Sequence, residues 1–125
     1  MPSFVDPELK RFIQDNSLEK RRAVARQLLA KYPDRVPIII GRGELLNTKA
    51  ATKFKFVCPG DITFGKFILE VRRHIPSLDP SSALYFFTST NTIPAVAAVM
   101  STLYTKHKAE DGVLYITYSC ESTFG

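Results

Sequence analysis

Lys53-Phe54-Lys55-Phe56-Val57-Cys58-Pro59-Gly60-Asp61-Ile62-Thr63-Phe64 packs a strand, a turn and the start of a helix into one short stretch. Successive strand side chains point to opposite faces, so Lys53 and Lys55 fall on one face and Phe54 and Phe56 on the other. Pro59-Gly60 ends the strand. Thr63 then caps a helix in which Phe64, Phe67, Ile68, Val71 and Ile75 recur at helical spacing, a face that must be buried. Pro76 closes that helix, because proline cannot continue it.

Upstream, Arg35-Val36-Pro37-Ile38-Ile39-Ile40 reads as a strand, with Pro37 confined to an edge or an irregular position. Gly41-Arg42-Gly43 is expected to break it, and residues 44–52 to form a loop. Two helices precede it. The first, from Asp6 to Gln14, presents Leu9, Phe12 and Ile13, with Asp6 as its cap. The second opens on Asn16-Ser17-Leu18-Glu19, where Asn16 can cap and Glu19 stands in capping-box position; it ends before Pro33.

Downstream, Ala83 to Thr88 reads as a buried strand rich in aromatics, and Val96, Val99, Met100, Leu103 and His107 form a helical face. Val113 to Tyr118 follows Gly112 as the last strand, and Ser119 to Gly125 is a polar tail. This order describes an α+β chain: a ubiquitin-like β-grasp, a four-stranded mixed sheet with crossover helices, behind two N-terminal helices. A single domain is expected, with residues 1–33 as the helical extension, 34–119 as the core and 120–125 as a flexible tail.

Composition narrows the function. The 125 residues are 45% hydrophobic and 23% charged, ordinary values for a folded chain. Residues 1–42 hold nine Lys or Arg against five acids, so +4 of the total +5 lies in the first third. Such a region favours acidic partners. No signal peptide or apolar span is read, so the chain is expected to be cytoplasmic with both thiols reduced. Cys58 with His74 or His107 could be written as a thiol–imidazole pair, but a buried filler cysteine is the simpler reading. Neither a metal site nor a cofactor is expected. The aromatics sit at core periodicities and no nucleic-acid motif is present, so no nucleic acid is expected.

Two features remain. If the second strand lies at a sheet edge, its free backbone groups could pair with an extended peptide, although lysines also protect edges from aggregation. Gly125 supplies an unhindered carboxylate, suited to activation and transfer in a narrow channel.

Several stretches together carry a resemblance. Leu18-Glu19-Lys20-Arg21-Arg22, Tyr32-Pro33-Asp34-Arg35-Val36-Pro37-Ile38-Ile39 and Phe56-Val57-Cys58-Pro59-Gly60-Asp61-Ile62-Thr63 are followed by Ile93-Pro94, Met100-Ser101, Leu103-Tyr104, Asp111 to Ser119 and Phe124-Gly125. Over roughly residues 18–125 the chain resembles the GABARAP-type autophagy modifiers, a ubiquitin-like family. The resemblance implies a monomeric tag and adaptor, not an enzyme. A processing and deconjugating cysteine protease normally exposes the terminal glycine. An activating enzyme adenylates it and holds it as a thioester, and a conjugating enzyme passes it to phosphatidylethanolamine on autophagosomal membranes. With no residue after Gly125, this form is expected to bypass the protease. Cargo receptors would be recruited through short aromatic-x-x-aliphatic motifs. An unconjugated peptide-binding adaptor of the same fold is the alternative.

Carried over by position, the resemblance implies an aromatic pocket of Val24, Leu28, Pro37, Ile39, Lys55, Val57 and Val113. It implies an aliphatic pocket of Phe56, Cys58, Pro59, Ile62, Phe67 and Glu70, and contacts to acidic flanks from Arg35, Lys53 and Lys55. Conjugation would use Gly125, with Phe124 beside it. The family also suggests tubulin or an anionic membrane as partners of the basic helices, where a solvated face is the simpler reading. Val24 stands where the family usually has an acid able to accept an indole N–H, and Val113 where it has phenylalanine. Glu70 occupies an apolar position. These departures imply an altered preference, toward Phe or Tyr anchors over Trp.

Overall fold

The computed structural model describes residues 4–43, 50–76, 78 and 83–121. Two helices, α1 (Pro7–Asp15) and α2 (Leu18–Lys31), lead into β1 (Arg35–Arg42) and β2 (Lys55–Pro59). After α3 (Phe64–Arg72), β3 (Ala83–Phe87) and α4 (Met100–His107) comes β4 (Leu114–Glu121). The sheet order is β2-β1-β4-β3, with β1 parallel to β4 and both outer strands antiparallel to their neighbours. This is the expected ubiquitin-like plan.

β1 is apolar along nearly its whole length because both of its faces are covered. Val36, Ile38 and Ile40 pack with Phe56, Phe64, Phe67 and Leu114 under the α3 and α4 side. Ile39 packs with Leu9, Ala25, Val113 and Tyr115 under α1 and α2. Pro37 fits inside this strand for a definite reason. The Ile40 N–H donates to the Phe54 carbonyl at 2.9 Å, so alternate residues Val36, Ile38 and Ile40 turn their backbone groups toward β2. The missing N–H of Pro37 would face the β4 side, where pairing begins only at Ile38 with Leu114.

Two ion pairs fasten the N-terminal helices to this core. Asp111 is buried, and its carboxylate accepts from Arg21 Nε at 3.1 Å, from the Val113 N–H at 3.0 Å and from the Tyr115 hydroxyl. The Arg21 guanidinium also donates to the Asn16 carbonyl, closing the α1–α2 corner onto the same point. Asp6 holds Arg42 through the backbone N–H at 2.5 Å and through Nε at 2.6 Å. Phe4 packs into the gap over Gly41, where an added Cβ would lie 2.2 Å from the Phe4 ring.

That contact explains why β1 does not break at Gly41. The glycine gives room for a neighbouring ring, and the strand continues through Arg42. Asp6 occupies the α1 N-cap position but makes no capping bond, its carboxylate being engaged by Arg42. The α2 cap is Ser17, which accepts from Lys20 N–H; Asn16 instead donates to the Phe12 carbonyl and closes α1. Thr63 caps α3 as expected. The last turns before Pro76 tighten, with His74 N–H donating to Val71 and Ile75 N–H to Arg72, which ends α3 early while Ile75 stays buried.

The helical face expected from Val96 onward begins only at Met100. The Val96 and Ala98 carbonyls accept from Gly65 and Phe64 N–H at 2.9 and 2.7 Å, so this segment splices onto the start of α3 instead of coiling. β4 includes Ser119, Cys120 and Glu121, which pair with Tyr85, Leu84 and Ala83, so the strand runs three residues past its expected end at Tyr118. β3, expected to be buried, lies at the other edge of the sheet, and only Phe86 in it is fully buried. The break expected after residue 43 and the loop to residue 52 fall partly outside the described residues.

Truncating Asp111 to alanine removes the acceptor shared by Arg21 and Tyr115, and breaking such a buried pair costs about 3 kcal/mol. Urea unfolding of Asp111→Ala is expected to show that loss; a change within about 0.5 kcal/mol, typical of a surface site, would mean that the Arg21–Asp111 pair adds nothing to what apolar packing and the Asp6–Arg42 pair already hold.

Candidate peptide-docking site

The register that turns Val36, Ile38 and Ile40 toward β2 also fixes the other side of β2. Phe54, Phe56 and Cys58 face β1 with their backbone groups, and Lys55 and Val57 turn theirs outward. β2 is an outer strand, so among the described residues this row is a free edge able to pair with an extended chain. Side chains follow the same alternation. Phe56 and Cys58 enter the core on the α3 side, whereas Lys55 and Val57 face α2.

On the α2 side lies a cavity of about 200 Å³. The structure brings Val24, Leu28, Pro37, Ile39, Lys55, Val57 and Val113 together in its lining. Val24 and Val57 form its open rim, 50% and 37% exposed. Phe12, Asn16, Lys20, Arg21 and Tyr115 line it as well and were not expected from the sequence. The signal was present for Phe12, which repeats with Leu9 and Ile13 on the buried face of α1. Lys55 Nζ sits 4.4 Å above the Phe12 ring centroid, where the ring quadrupole attracts the cation.

The residues expected to form an aliphatic pocket are divided differently. Phe56, Cys58 and Phe67 are buried core residues, with Phe56 and Phe67 edge to face at 5.6 Å. Ile62 is half-buried against that core, and Pro59 is exposed at the end of β2. Glu70 points its carboxylate to Arg73 at 3.4 Å and to His74 at 3.3 Å. The His74 ring in turn meets Phe56 edge-on at 5.5 Å. Phe56, Cys58, Ile62 and Phe67 therefore make one packed wall on the α3 side of the β2 edge, with Pro59 and Glu70 exposed outside it.

Lys53 precedes β2 and curls over the Phe56 ring at 4.7 Å, so it serves the α3 side and not the face it would share with Lys55 in a continued strand. Arg35 is exposed and lies over the Tyr32 ring at 5.6 Å, near the start of β1. Gly125 and Phe124 lie outside the described residues.

The chemistry of the cysteine argues against a nucleophile. Burial pushes the Cys58 thiol up to about 11, partly offset by its own backbone hydrogen bond and by Arg35. A reactive thiol needs the opposite shift. Among the described residues no cluster of His, Cys, Asp or Glu could hold a metal, and no helix is long and apolar enough to cross a membrane.

Comparison with known proteins places this geometry in a family. Residues 20–125 match the model of the family described as "Autophagy protein Atg8 ubiquitin like". The chain is 45% identical over 114 residues to autophagy-related protein 8 of Dictyostelium discoideum, covering 91% of this chain and 93% of that protein. It is 43% identical to autophagy-related protein 8d of Arabidopsis thaliana, with the same coverage. The crystal structure of Trypanosoma brucei ATG8 superimposes with a TM-score of 0.80 at 34% identity, covering 91% of this chain and 97% of that one. Plasmodium falciparum Atg8, solved in complex with a P. falciparum Atg3 peptide, matches with a TM-score of 0.78 at 32% identity over 98% of both chains.

The raised Cys58 pKa has a measurable sign. Between the ordinary thiol value of 9.0 and about 11 the folded chain keeps a proton that the unfolded chain has lost. This contribution to stability is complete below that window and declines as pH rises through it. At pH 8 the folded thiolate population is about a hundredfold below that of an ordinary thiol, so iodoacetamide should label Cys58 at least that much more slowly in buffer than in urea. Equal rates would show that the thiol is neither buried nor shifted.

Proposed function

The chain belongs to the Atg8 family of ubiquitin-like autophagy proteins, and on that premise we propose that it is a modifier that is attached through Gly125 to phosphatidylethanolamine and that recruits receptors by gripping short peptides. The observation that carries the peptide half is the division of the two anchor groups across the free β2 edge. In an added strand, residues three apart point to opposite faces, because the side-chain period is two. An aromatic-x-x-aliphatic motif paired along Lys55 and Val57 thus sends its first anchor into the cavity beside α2 and its second onto the Phe56–Ile62–Phe67 wall. Backbone pairing supplies affinity and the two sites supply selection. Lys53, Lys55 and Arg35 lie along the same edge and suit acidic residues flanking the anchors. The P. falciparum relative carries an Atg3 peptide, which supports a peptide as ligand of this fold.

The conjugation half follows from family membership. The Gly125 carboxyl is adenylated, held as a thioester and transferred to the lipid amine, so the chain is the substrate of activating and conjugating enzymes and of a deconjugating cysteine protease. It is not itself an enzyme, in keeping with the raised pKa of Cys58. It begins in the cytoplasm and moves to the autophagosomal membrane on lipidation.

Selection at the first anchor follows from Val24. A valine at the cavity rim cannot accept an indole N–H, and a buried donor left without a partner costs about 1–3 kcal/mol. Titration calorimetry should find Phe- or Tyr-anchored peptides at least as tight as the Trp-anchored equivalent, with Val24→Glu moving the balance toward Trp. A clear Trp preference in the unaltered chain would contradict this selection rule.

Conjugation is tested by incubating the chain with activating enzyme, conjugating enzyme, ATP and phosphatidylethanolamine liposomes. Lipidated product is expected with Gly125 and absent with Gly125→Ala. No product from enzymes proven competent on a relative would leave the unconjugated peptide-binding adaptor as the better account.

A further inference from the structure

The cavity beside α2 has two unlike ends. α2 runs down to Tyr32, the chain turns, and β1 runs back, so Leu28 shares one end with Pro37 and Val57 while Lys20 and Arg21 share the other with Ile39 and Lys55. The first end is apolar. The second is cationic, with the Asn16 amide beside it.

Among the described residues no carboxylate lines the cavity. The acids on the elements that frame its cationic end are accounted for separately. Asp111 is buried and neutralised by Arg21 at 3.1 Å. Glu19 is paired with Arg22 at 3.3 Å and turned to solvent. Asp15 at the end of α1 and Glu8 at its start are exposed, and neither is part of the lining. Lys20 and Lys55 make no ion pair among the described residues. The start of α2 at Ser17–Leu18 adds the positive end of the helix dipole on the same side.

We infer that this cavity reads a phosphotyrosine anchor in preference to an unmodified one. The inference rests on the peptide-docking reading above and names the anchor that reading leaves open. A phenyl ring fills the apolar end between Leu28, Pro37 and Val57. A phosphate in the para position then lies toward Lys20 and Lys55, where each ammonium donates a charge-assisted hydrogen bond to its oxygens. Among the described residues nothing acidic lines the cavity to repel the group. Phosphorylation of a motif tyrosine would therefore strengthen docking and act as a switch carried by the partner.

The test is calorimetry with peptides of one sequence that differ only at the anchor: Phe, Tyr or phosphotyrosine. A fourth peptide carries a Phe anchor and a phosphoserine in its flank. At about 0.1 M salt the phosphotyrosine peptide is expected to bind about tenfold more tightly than the tyrosine peptide, the scale of one charge-assisted hydrogen bond. In the Lys20→Gln, Lys55→Gln double variant that ratio should fall to about twofold or less, reflecting loss of both donors. Both lysines are exposed, and an unchanged circular dichroism melt would show that the variant folds.

Phosphotyrosine binding no tighter than tyrosine overturns the inference, as does an advantage that survives in the double variant. The flanking phosphoserine gains from Lys53 and Arg35, so its gain should largely survive in the double variant; a phosphoserine gain that vanishes together with the phosphotyrosine advantage overturns the inference too, because both phosphates would then be drawn to the same surface lysines. If Phe and Tyr peptides bind and phosphotyrosine does not, peptide docking stands and the phosphate reading falls. Failure of all four peptides to bind sinks both.

Discussion

The carboxylate of Asp111 is the point at which the helical extension and the sheet meet. It binds Arg21 from α2, the Tyr115 hydroxyl from β4 and its own turn through Val113 N–H. Arg21 is mostly covered as well, and its remaining donors hold the corner between α1 and α2. An uncompensated charge at this depth would be costly, so each partner constrains the other. Its proximity raises the Tyr115 pKa further, after burial itself. The second clamp, Asp6 on Arg42, fixes the start of α1 at the opposite end of β1.

With both ends pinned, α1 and α2 cover one face of a sheet whose other face is covered by α3 and α4. That arrangement leaves β1 buried on both sides and β2 at the border. The cavity lies where α2 packs along β1 beside the outer strand β2. Helix and strand residues both line it, and Arg21, itself part of the lining, ties α2 to Asp111. The proposed docking at the edge is thus tied to an ion pair whose arginine lines the cavity while its carboxylate stays buried behind it.

Much of this was legible in the residues. The alternation at Lys55 to Cys58, the cap at Thr63 and the apolar spacing from Phe64 to Ile75 are local signals that the structure uses as written. The seven residues of the aromatic site were reached by resemblance, and they line one cavity. Other features depend on contacts distant in sequence. Arg21 and Asp111 stand 90 residues apart, and nothing in local periodicity pairs them. Gly41 looks like a strand breaker until Phe4 is seen to pack over it. Asp6 and Asn16 are good caps by type, but tertiary partners claim the first and α1 claims the second. Val96 has helical spacing with Met100, yet its carbonyl is drawn to Gly65 on α3. The Glu70 position shows how a polar residue at an expected apolar site finds local partners, Arg73 and His74, and leaves the wall to Phe56 and Phe67.

The account depends most directly on the outer edge of β2 being open and being the place where a peptide pairs. Amide hydrogen exchange on the free and peptide-bound chain reads this residue by residue. In the free chain the Phe56 and Cys58 amides, bonded toward β1, should be protected, and those of Lys55 and Val57 should exchange quickly. A motif peptide should slow Lys55 and Val57 and leave Phe56 and Cys58 little changed. Protection of Lys55 and Val57 in the free chain, or protection on binding that appears along Ala83–Phe87 instead, would contradict it.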